Sequence, residues 1–153
     1  MNVTQFDDLV RQGKSKILSL FSYHTQEKSG MTPSESAAHL THRAIEWNLV
    51  ASRTAIPGET LLAWSQSHRN NKVPAWALSA AVLVLLIDYH WIPETSAQRC
   101  VCASVLYREY GDNVHTKLSG LFHSRCERDG MSEYLDLARQ SRATYLANKL
   151  QSR

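Results

Sequence analysis

Apolar residues recur at three- and four-residue spacing almost from the first position. Phe6, Leu9, Val10, Ile17, Leu20 and Phe21 form one stripe, which predicts a helix over 3–23, with Gly13 weakening its middle. A polar linker over 24–32, containing Ser29-Gly30, is expected next. The pattern then predicts a second helix over 34–51 and a short third over 57–67. A fourth over 74–90 is apolar nearly all round and is expected to be central. The fifth is predicted over 93–110, stopped by Gly111. Asp112 is expected to cap a sixth that runs to about residue 128, with Gly130 as its stop. Ser132 is expected to cap a seventh that carries Tyr134, Leu135, Leu137, Ala138, Tyr145, Leu146 and Leu150. No segment alternates with period two, and Asp129-Gly130 falls between two helical patterns. The expectation is an all-α chain: one domain over 1–153, a bundle of about seven helices around 74–90.

The four prolines support this reading. Thr32-Pro33-Ser34-Glu35 places a capping threonine, a proline and a glutamate in capping-box order. Ile56-Pro57-Gly58-Glu59, Val73-Pro74-Ala75 and Ile92-Pro93-Glu94 repeat the theme. Proline has no N–H to lose in a first helical turn, and its fixed φ suits the helix. The expectation is therefore a proline at the first helical position in each case.

Composition narrows the class. The chain has 153 residues, of which 43% are hydrophobic and 20% charged, a globular balance with room for a substantial core. The net charge of +3 permits an acidic partner without demanding one. The longest apolar stretch, over 73–87, is shorter than the roughly 20 residues of a membrane span, so no membrane partner is expected. An odd set of three cysteines and the lack of a signal-peptide pattern point to a reducing cytoplasm.

Catalytic signatures are missing. There is no Walker lysine after a glycine-rich loop, no glycine fingerprint after a strand, and no nucleophile-elbow, kinase or zincin pattern. No cofactor, metal or catalytic residue is expected, and the chain is read as a binding protein rather than an enzyme. Cys100, Cys102, His123 and Cys126 bear zinc-type ligand atoms, with His115 between them, but Cys-x-Cys on one helix turns its side chains about 200° apart. His39, His42 and Glu46 share helical spacing and fit a surface pair better than a triad.

One pattern suggests a partner. Residues 57–64 form a short helical segment, followed by a polar-basic loop from His68 to Lys72, a proline and a leucine-rich helix. Across 55–86 this resembles the second half of a repressor-type helix-turn-helix domain. The resemblance implies that the short helix enters the major groove and the loop meets phosphate. Gly58 and Glu59 depart from that pattern: contacting polar residues are expected there, and Glu59 would repel phosphate. Residues 85–122, with their Leu-x-x-Tyr helix and the short helices after it, look like parts of phage-type and sigma-like transcription regulators. Together these imply phosphate contacts through Arg69, Lys72, Arg99, Arg108, Lys117 and Arg125, and the C-terminal helix, whose acid-first, base-last order also complements its dipole, adds Arg139 and Arg142 as a phosphate-tracking surface. The leading expectation is thus a nucleic-acid-associated helical protein, either a small regulator or a subunit of a larger nucleoprotein assembly. The alternative is a protein–protein adaptor or chaperone-like module, or a homo-oligomer, acting through an apolar helical surface. For that reading Tyr134, Tyr145 and the four tryptophans are the candidate anchors.

Overall fold

A computed structural model describes residues 1–66 and 72–152. It is all-helical, with no strand among the described residues. The elements are α1 (Val3–Ser22), a π-helical turn (Tyr23–Lys28), α2 (Pro33–Glu46), α3 (Gly58–Trp64), α4 (Ala75–Ile87), α5 (Ser96–Tyr110), a 3₁₀ turn (Gly111–Asn113), α6 (Val114–Leu121) and α7 (Arg125–Gln151). No helix among the described residues is long and apolar enough to cross a membrane.

The chain divides into two compact units. One comprises Met1–Gly13 and Ile92–Arg153, the other Lys14–Trp91. In the second unit α2 packs against both α3 and α4. Its core holds Ile17, Leu18, Phe21, Leu40, Leu61 and ten consecutive buried residues of α4, 77–86. Buried hydroxyls find partners. The π-helical turn, in the stretch expected to be a linker, carries Thr25 inward. There its hydroxyl donates to the Phe21 carbonyl at 2.9 Å and shares a 2.6 Å hydrogen bond with Ser36 Oγ. Thr41 donates to the Ala37 carbonyl and accepts from the Ile56 N–H, which ties the segment after α2 back to that helix.

In the first unit α5 packs against α6 and α7. Phe6, Val101, Val105, Leu106, Val114, Phe122, Met131 and Leu135 are buried there. Gly13 is needed because α1 lies close to α5. A Cβ at this position would come within 2.6 Å of Val101 Cγ2.

Local chemistry moves several helix ends from their expected places. Pro33 does follow its cap: Thr32 accepts from the Glu35 N–H, and Glu35 accepts from the Thr32 N–H. Pro57 and Pro74 instead stand as the caps themselves, ahead of Gly58 and Ala75. Pro93 lies outside α5, whose box is Thr95 with Gln98. Helix α2 stops at Glu46, well before residue 51. Asn48 takes φ +59, Leu49 N–H reaches the Ala44 carbonyl and Asn48 N–H the Ile45 carbonyl, a Schellman ending that asparagine tolerates.

The largest correction concerns α6 and α7. Gly130 stops nothing, and Ser132 caps nothing. Ser124 and Glu127 form a capping box that starts α7 well before Ser132, and the helix runs through Gly130, which has open space around it. A glycine inside an exposed helix costs only about 1 kcal/mol, less than a completed cap and a buried helix face return.

Candidate interaction surface

Helix α7 has two halves. In the first, Met131, Leu135, Leu137 and Ala138 are buried. Ser141 is the last side chain in α7 tied to another element; its hydroxyl donates to Asp7 Oδ1 at 2.5 Å. From 142 to 150 every position is exposed. Tyr145 is 54% exposed, Leu146 44% and Leu150 69%. These large apolar groups sit on a helix that continues for nearly three turns beyond its packed half.

Charge follows the same division. Residues 137–153 hold four basic residues and no acidic one, while the rest of the chain holds 13 basic against 14 acidic. The chain's positive balance therefore resides in this stretch. The guanidinium of Arg142 lies 5.3 Å from the Tyr145 ring centroid. Arg139 is 4.0 Å from Asp136. Across on α5, Arg108 is partly desolvated, which lowers its pKa; Glu109 opposes that shift, and the like charge of Arg142 adds to it. Tyr107 donates to Asp112 at 3.1 Å and lies within the field of Arg139. Arg142 thus acts on Arg108, and Arg139 on the neighbouring Tyr107.

The other basic residues expected to form a site are dispersed. Arg69 lies outside the described residues. Lys72 is exposed in the second unit. Arg99 is half-buried and lines a small cavity of about 190 Å³ with Pro93, Phe122, Cys126 and Met131. Lys117 approaches the Tyr110 ring at 6.0 Å. Arg125 pairs with Asp129 at 3.8 Å in solvent. On α3, the expected groove-entering helix, the exposed positions are Glu59, Leu62 and Ala63. None of these is a phosphate or base-edge donor by side chain. Trp64 meets Trp76 edge to face at 5.9 Å.

Histidine and cysteine candidates also separate. His39 Nε2 lies 3.7 Å from Asp88 Oδ2, not against Glu46, and His42 is exposed. Glu46 accepts from Arg43 at 2.8 Å, and Arg43 also grips Asp88 with two hydrogen bonds at 2.5 and 3.1 Å. Those bonds to Asp88 raise the arginine's pKa. Sequence spacing held no sign of this network, because Asp88 stands 45 residues from Arg43. Cys100 and Cys102 are buried and Cys126 is exposed. Burial pushes the Cys100 thiol up to about 11 and raises Cys102 further. Among the described residues no group of three histidines, cysteines or acids is placed to hold a metal ion.

Comparison with known proteins finds no matching family model, no matching curated protein and no matching solved structure.

Proposed function

We propose that this chain is a non-enzymatic protein–protein binding module. Its working element is the second half of α7, which lies in an apolar groove rimmed by carboxylates on a partner protein. One observation carries the reading: Tyr145, Leu146 and Leu150 are exposed on a helix whose charged residues from 137 onward are all basic. Apolar side chains on a free helix face gain from being covered, and a helix in a groove is a recurrent way of covering them. The basic residues speed encounter with an acidic rim and disfavour a cationic one. A second copy is a poor match, since two such helices side by side bring like charges together.

A photoreactive residue at position 146 tests this in cells. The expected result is one dominant cross-linked protein, with its contact peptide rich in acidic and apolar residues, and loss of the cross-link in Leu150→Asp. Scattered cross-links that Leu150→Asp leaves intact would defeat the proposal.

A second reading rests on the run of basic residues from 137 onward in α7, with no acidic residue among them. Here Arg108, Arg139 and Arg142 neutralise phosphates, and Tyr145 offers a stacking face. Fluorescence anisotropy with duplex and single-stranded DNA decides it. Binding that falls with salt at a log–log slope of about −2 to −3, and that is lost in Arg108→Gln/Arg142→Gln, supports this reading. No binding at low salt removes it.

A further inference from the structure

Among the described residues the second unit contains a cleft of about 700 Å³, within the range of small-molecule sites. Its walls come from the end of α1, the π-helical turn, the start of α2 and one face of α3. Two contacts hold it open in one shape. Ser19 donates to the Ser65 carbonyl at 3.0 Å, joining α1 to the end of α3. Gly58 lets the start of α3 abut the start of α2, since a Cβ there would lie 3.1 Å from the Pro33 carbonyl carbon.

The lining is chemically selective. Pro33, Pro57 and Leu62 supply apolar surface, and Leu62 is 60% exposed. Ser22, Gln26, Ser34 and Glu59 supply polar groups. None of these four side chains makes a hydrogen bond or ion pair within the described protein. Among the described residues the lining contains no lysine, arginine or histidine, so a phosphate or carboxylate ligand would find no side-chain counter-charge from them. Among the described lining residues Glu59 carries the one formal charge.

We infer that this cleft binds a small hydroxyl-bearing organic cation, such as an aminated polyol ring. The ring's C–H face rests on Leu62 and the two prolines. Its hydroxyls exchange hydrogen bonds with Ser22, Gln26 and Ser34. Its ammonium donates to Glu59. The inference is independent of any role for α7, which belongs to the other unit.

The test is an amide-shift titration of the full ¹⁵N-labelled chain at about pH 6.5, where a sugar ammonium is protonated. Glucosamine, glucose and glucose 6-phosphate are the three probes, each taken to about 10 mM, enough to reveal millimolar affinity. The expected result is saturable movement of Ser22, Ser34, Gly58 and Glu59 with glucosamine, weaker movement with glucose, and none with the phosphate ester. In Glu59→Gln the affinity for glucosamine falls about tenfold and that for glucose stays unchanged. Because Glu59 is exposed, this variant keeps its fold. The inference is overturned if the phosphate ester binds as well as glucosamine, if no lining amide moves, or if Glu59→Gln leaves glucosamine binding intact.

Discussion

Helices α4 and α7 fail to match each other in an instructive way. In α4 ten consecutive residues are buried; in α7 nine consecutive residues, 142–150, are exposed. For α4, helix and burial arise from one cause, since a stretch of Ala, Val and Leu broken only by Ser79 has no polar side to turn outward. For α7 they have separate causes. Burial ends at Ala138, yet the helix runs on through Ala143, Leu146, Ala147, Lys149 and Leu150, all good helix formers. Nucleation is the costly step of helix formation, and the packed, capped first half has already met it. Extension is then cheap, and it holds apolar side chains out in solvent at fixed spacing.

The comparison can be broken most sharply in α4. Leu85→Ala, at a fully buried site, is expected to cost about 2–5 kcal/mol in urea unfolding, through lost burial and the cavity left behind. A cost under 1 kcal/mol would mean that α4 is not packed as described. Next comes Gly13→Ala, which asks whether the unit containing α7 is packed as tightly. The added methyl meets Val101 at 2.6 Å, and the expected loss of about 1–3 kcal/mol exceeds the gain in helix propensity. A more stable variant would show that α1 and α5 part easily. Gly130→Ala sharpens the account of α7 itself. With nothing within 4 Å, alanine there is expected to stabilise by about 0.5–1 kcal/mol, seen as a raised melting temperature. Destabilisation would place an unseen neighbour at that turn. The smallest effect belongs to Leu150→Ala, expected to change stability by no more than about 0.5 kcal/mol. A loss as large as that of Leu85→Ala would show that the outer half of α7 is covered in the free chain, and would end the case for a partner.

How much was legible beforehand follows from the same physics. The all-helical class rested on local signals: apolar spacing, prolines near helix starts, and the Thr32–Glu35 box, which forms as its letters imply. The boundary between α6 and α7 was misplaced because Gly130 resembles a stop. Ser124 and Glu127 carried the right signal, three residues apart. The helical turn at Tyr23–Lys28 was hidden by polar residues, since one inward-facing Thr25 leaves no apolar stripe. Surface chemistry was less accessible. The field of Arg142 on Arg108 depends on how α5 and α7 pack, and no spacing along the chain encodes it, whereas the Arg125–Asp129 pair follows from four-residue spacing on one helix.

The three cysteines, described above only as ligands that fail to converge, give the molecule a single chemical handle. Reactivity toward electrophiles belongs to the thiolate, and it requires access. Cys100 and Cys102 are withheld on both counts, whereas Cys126 stands exposed one residue inside the start of α7. A maleimide dye should therefore attach once per folded chain, at the base of the helix whose far end holds Tyr145, Leu146 and Leu150 in solvent. Denaturant would raise that stoichiometry from one to three, making dye uptake a simple readout of unfolding in the unit that holds the two hidden thiols.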